Sequence, residues 1–128
     1  MRAHDERVDE TLGYQPQSQR FFVRAMACWQ HLLTTLDSIE EGDGTLLDRV
    51  AVFAHSGTEF PKQHGTTNIP MLIAGGAGGR LATGQHIRGA GSPTSRAALT
   101  LQQLFDVPVS SWGVGDAQTS SPIDDLLA

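Results

Sequence analysis

Cysteine is almost missing from this sequence. Cys28 stands alone in 128 residues, so no disulfide framework can close within one chain. Its neighbours, Ala-Met-Ala-Cys-Trp, belong to an apolar helical pattern, which predicts a buried structural thiol. Long apolar runs are missing too; none approaches the roughly 20 residues of a membrane-spanning helix. An excess of basic charge is also lacking. Nine Lys and Arg against fourteen Asp and Glu give a net charge of −5, with the cations scattered, which excludes an electrostatic footprint for nucleic acid or anionic membrane. Met1–Arg7 carries no apolar segment behind its charges, so no signal peptide is expected. A soluble, cytoplasmic chain is the expectation.

What remains is an ordinary globular composition, 39% apolar and 18% charged, sized for one domain with one core. Residues 1–16 are polar and without sustained period, and read as an arm that includes a solvated His4. Residues 17–128 read as a single α/β domain. Phe22, Met26, Trp29, Leu33 and Leu36 recur at steps of three and four, and Ala25, Cys28, Leu32 and Ile39 widen that face. The pattern predicts a long amphipathic helix from about Ser18 to Glu40, capped by Ser18 and stopped by a left-handed glycine in Glu41-Gly42-Asp43-Gly44. Thr45-Leu46-Leu47-Asp48 has capping-box spacing and predicts one helical turn.

Arg49 to Ala54 is a short apolar run with the signature of a strand buried on both faces in a parallel sheet, and Ile69 to Ala74 is a second. Gly75 to Gly91 holds half of the fourteen glycines and reads as irregular, with a short extended piece at Gln85 to Arg88. Ser92-Pro93 starts a second helix whose inward face is Ala97, Leu101, Leu104 and Phe105. The end of the chain is loop-rich, with a final turn after Ser121-Pro122. Two or three core strands are few for an independent sheet, so the sheet is expected to be completed by a larger domain or by a second copy of the chain.

Chemistry concentrates in His55-Ser56-Gly57-Thr58-Glu59-Phe60-Pro61-Lys62-Gln63-His64, which leaves the carboxyl end of the first strand, where open α/β sheets bind ligands. His55, Glu59 and His64 are ligand types that hold zinc or a similar divalent ion, and a metal-bound water would serve as nucleophile. The spacing matches no established metal motif, and solvated loop histidines are the bland alternative. Ser56-Gly57 lacks the preceding glycine of a nucleophile elbow, since Ala54 stands there; a metal-free serine esterase with His64 as base is the weaker option. The Gly75-Gly76-Ala77-Gly78-Gly79-Arg80 segment reads either as a flexible connector or as an anion cradle, with His86 and Arg88 near the same edge. His31 lies beside the apolar stripe of the long helix, in a surface or packing role.

Glu40-Glu41-Gly42-Asp43-Gly44-Thr45-Leu46-Leu47-Asp48, the apolar strand, Ser56-Gly57, a histidine, and Ile69-Pro70-Met71-Leu72-Ile73-Ala74-Gly75-Gly76-Ala77-Gly78-Gly79 follow one another in order. Gly84-Gln85-His86-Ile87-Arg88, the helix to Phe105, Val107-Pro108-Val109 and Trp112-Gly113 continue the pattern. From Gln17 to Ala128 it resembles the C-terminal part of a bacterial domain-of-unknown-function family, DUF 1552, itself similar to alkaline phosphatases and sulfatases. The resemblance implies a partial alkaline-phosphatase-like layer and metal-dependent hydrolysis of phosphate, phosphotriester or sulfate esters. His55 would match the superfamily's loop ligand and His64 its later histidine, while Glu59 has no assured counterpart. Arg80 or Arg88, with His86, would hold an anionic small-molecule ester. Ala54 replaces the superfamily's aspartate, and the nucleophile and further metal ligands have no counterpart in these residues. The alternative is a non-catalytic remnant that acts as an oligomerising or binding module. A homodimer burying Phe22, Trp29 and Leu33 is expected in either case.

Overall fold

The computed structural model describes residues 5–128, which leaves His4 outside the described residues. The chain is a mixed α/β fold with a long N-terminal helix and two small antiparallel sheets. Helix α1 spans Pro16–Asp37 and is followed by the strands β1, Glu40–Glu41, and β2, Gly44–Thr45. The one-turn helix α2, Leu46–Arg49, leads into β3, Val52–His55; β4 is Met71–Ala74, and α3 is Ser95–Leu104. The final segment has 3-10 turns at Gly115–Ala117 and Asp124–Leu126, the second where Ser121-Pro122 predicts a turn.

Helix α1 begins two residues earlier than the periodicity predicts, because Pro16 occupies its first turn, where a missing N–H costs nothing. Ser18 is not its cap. The carboxylate of Glu6, in the polar arm, accepts the amides of Gln17 at 2.8 Å and Ser18 at 3.1 Å. Gln15 clamps the same arm by donating its side-chain amide to the Glu6 carbonyl at 2.5 Å. Glu6 and Gln15 are both buried.

The lower end of α1 also departs from expectation. Gly42 does take the left-handed conformation, with φ 66°. It serves the tight turn between β1 and β2, however, after the helix has already closed at Ser38. The predicted capping-box turn is present as α2, with the Thr45 amide donating to the Asp48 carboxylate at 2.8 Å.

The parallel-sheet expectation is overturned. β3 and β4 pair antiparallel, Val52 opposite Ala74 and His55 opposite Met71. An apolar run reports burial but carries no direction, and the chain between the strands, residues 56–70, holds no crossover helix of the kind that parallel neighbours need. The strands are half-buried rather than enclosed, and Leu72 is exposed. The segment 85–88 forms no strand.

The core lies elsewhere. Ala77, Leu81 and Leu104 form its centre, with Ala51, Ile73, Leu101 and Leu126 packed against them. In α3 Ala97, Leu99 and Thr100 are fully buried, while Phe105, expected inward, is exposed just past the helix end. Thr100 is tolerated inside because its hydroxyl donates to the Arg96 carbonyl at 2.7 Å and accepts the Ile123 amide at 2.8 Å. Arg96 extends the same tie by donating to the carbonyls of Ser121 and Pro122.

Helix α1 stands apart from this core. It packs on α2, and it contains no buried residue. Met26, Trp29, Leu33 and Leu36 are half-buried, but Phe21, Phe22, Val23 and Leu32 are exposed by 61, 52, 58 and 44%. Cys28, expected inside, is exposed.

Candidate functional site

The loop between β3 and β4 carries the residues expected to do chemistry, and its own hydrogen bonds engage most of them. His55 closes β3 and is exposed; its ring stacks on Phe53, two residues back on the same strand face, with centroids 5.3 Å apart. Its Nδ1 lies 3.1 Å from the Ser56 carbonyl. The Ser56 hydroxyl donates to the Thr58 carbonyl at 2.6 Å and accepts the Thr58 amide at 3.2 Å. Those bonds form a local serine turn rather than a nucleophile–base pair.

Glu59 braces the loop from within. Its carboxylate accepts the Thr67 hydroxyl at 3.1 Å and the Asn68 side-chain amide at 3.0 Å, while its backbone amide donates to the Gly65 carbonyl at 3.0 Å. His64 turns the chain back, with φ 51° and its amide bonded to the Phe60 carbonyl at 3.1 Å. Among the described residues no group of three or more His, Cys, Asp or Glu is placed to hold a metal ion. The expected trio of His55, Glu59 and His64 is not among such groups, and the hydrogen bonds that close the loop hold Glu59.

Of the expected anion-holding groups, Arg80 is already partnered. Arg80 donates to the Asp106 carboxylate at 2.7 Å and lies over the Phe105 ring, 5.7 Å from its centroid. Its charge is thus matched on the α3 side of the molecule. His86 and Arg88 are exposed in an irregular stretch that Gln85 ties to the Asp125 carbonyl at 2.8 Å, toward the final turn.

The glycine loop is neither a cradle nor a flexible connector. The Gly76 and Ala77 amides donate to the carbonyls of Leu47 and Val50, each at 3.0 Å. The backbones approach so closely that a Cβ at Gly75 would stand 2.2 Å from the Val50 oxygen. The open recess of about 340 Å³ between this loop and α2 is lined by Asp43, Asp48 and Arg49, with Arg49 already paired to Asp43. Two carboxylates and one cation make it unsuited to an anion. Hydrogen bonds from the Thr45 backbone amide and then its hydroxyl hold the Asp48 carboxyl below its ordinary value of 3.8.

One recess does adjoin an expected site residue. About 240 Å³ in size, it is lined by Phe53, His55, Met71, Thr94, Ala98 and Trp112, and by Ser95, whose hydroxyl is tied to the Ala117 carbonyl. The Ser92-Pro93 helix start and the Trp112-Gly113 pair were the available signals for its far wall. Of the expected site residues, only His55 lines it.

No protein-family model matches the chain, and no curated protein or solved structure matches it either. No helix among the described residues is long and apolar enough to cross a membrane.

Proposed function

We propose that this chain acts as a non-catalytic association module, an α/β layer completed by docking against another protein surface. The observation that carries this reading is the exposed area. The chain exposes 8891 Å², whereas a compact monomer of 13.7 kDa is expected to expose about 6600 Å². The surplus, roughly 2300 Å², is more than one partner contributes to a standard interface, about 800 Å². Large apolar side chains contribute to it, among them Phe21, Phe22, Val23 and Leu32 on α1 and Leu72 on β4. Small patches are normal on monomers, but contiguous apolar surface along a helix of 22 residues marks an interaction site.

Metal-assisted ester hydrolysis is the second reading. The placement of Glu59 against Gly65, next to His64, favours it, with further ligands drawn from a neighbouring chain. One experiment separates the two. The protein is refolded with zinc, dialysed against chelator-treated buffer, and analysed for bound metal and for turnover of aryl phosphate esters. The association reading expects no stoichiometric metal, no turnover, and a His55→Ala/His64→Ala variant that folds and associates as the parent does. Retained zinc that disappears in the double variant, together with turnover, would overturn it.

A further inference from the structure

Helix α1 carries two apolar stripes, not one. Phe22, Met26, Trp29, Leu33 and Leu36 form the first, which is half-buried against the body from Met26 onward. Phe21, Ala25, Cys28 and Leu32 form the second, displaced by one residue and exposed along its whole length. Both follow steps of four, three and four, the spacing that keeps a seam facing a second helix rather than drifting around the cylinder. The second stripe consists of an aromatic, two small side chains and a leucine, so another helix can approach closely at its centre.

We infer that the second stripe is the seam of a homodimer in which α1 packs antiparallel against α1 of a second copy. This rests on the association reading above and names its partner. The charge pattern sets the direction. Arg20 and Arg24 lie toward the start of α1, where the Glu6 carboxylate is already bonded to the Gln17 and Ser18 amides, whereas the exposed Glu40 and Glu41 lie just beyond its end. Parallel packing sets like charges side by side at both ends, while antiparallel packing sets each basic end against the partner's acidic end. Such end-to-end complementarity selects orientation even where it adds little affinity. The seam keeps its four-three spacing when Leu32 faces Phe21 across the axis or when it faces Cys28. In both registers the two copies of Cys28 lie within a few residues of the two-fold axis.

Sedimentation equilibrium of the full chain at micromolar concentration, under reducing conditions, is the first test. The parent is expected at twice the chain mass and Phe21→Glu/Leu32→Glu at the single mass, with unchanged helicity by circular dichroism. Val23→Glu, on the other side of the helix, is expected to stay dimeric. Direction is read from spin labels: a label on Cys28 reports a short distance between copies. A label on Arg20→Cys in a Cys28→Ser background reports roughly 20–30 Å, from about 1.5 Å of rise per residue. Equal short distances at both positions mean parallel packing and overturn the orientation, and a dimer that survives Phe21→Glu/Leu32→Glu overturns the seam. A parent at the single mass that binds an anilinonaphthalene dye, with binding lost in the double variant, overturns the second copy as partner and leaves the association reading standing. Single mass without dye binding removes both.

Discussion

The Glu6 carboxylate closes the first turn of α1 from outside the helix, accepting the amides of Gln17 and Ser18 across eleven and twelve residues of chain. Those amides have no partner within the helix, and a carboxylate at that end also meets the positive pole of the helix dipole. Glu6→Ala is expected to lower stability by about 1–2 kcal/mol and to fray the start of α1. Glu6→Gln, which keeps an acceptor, should lose about half as much. Urea unfolding with hydrogen exchange at residues 17–20 checks both; equal stability of Glu6→Ala and the parent would remove the cap from the account.

Glycine matters in two different ways after β4. At Gly75, with φ 101°, a methyl group would overlap the Val50 carbonyl; at Gly79, with φ 85°, nothing lies within 4 Å of the added carbon. Gly75→Ala carries both the left-handed backbone cost and overpacking, roughly 3–5 kcal/mol together. Gly79→Ala carries only the backbone cost, about 1–2 kcal/mol. Thermal midpoints of the two variants should rank accordingly, and a reversed order would show that the close approach to α2 is absent in solution.

Acid stability should carry the mark of Asp48. Its carboxyl is held below the ordinary value by the Thr45 amide and hydroxyl, so the folded state binds the proton less readily than the unfolded chain. The contribution is complete above the ordinary value of 3.8 and is lost as pH falls through the lower folded-state value. Asp48→Asn is therefore expected to flatten part of the acid limb of the melting temperature against pH while leaving the shape near neutrality unchanged. A steeper acid limb in the variant would contradict the sign.

Local signals were legible in the sequence, and distant ones were not. The turn at Thr45–Asp48 and the body of α1 follow from spacings within a few residues, and both are present where predicted. Glu6 gave no such signal, since a cap reaching back from an arm has no fixed spacing. Thr100 is missing from the predicted inward face of α3, because its burial depends on an amide twenty-three residues further on. The direction of β4 was hidden for a related reason: apolar runs record how deep a strand lies, not which way it points. At the candidate site, His-x3-Glu-x4-His told which ligands were available but not whether they converge. The partners that hold Glu59, Thr67 and Asn68, are polar loop residues with no pattern of their own.

The ribbon of β3 and β4 has a consequence for handling the protein. Val52-Phe53-Ala54 and Met71-Leu72-Ile73-Ala74 carry no charge, no proline and no bulge, and each has one border that no strand among the described residues covers. Such borders recruit further strands, and stacking of this kind propagates into fibrils. Preparations kept concentrated, or warmed until the contacts of α3 loosen, will be lost to insoluble cross-β material starting from these two segments.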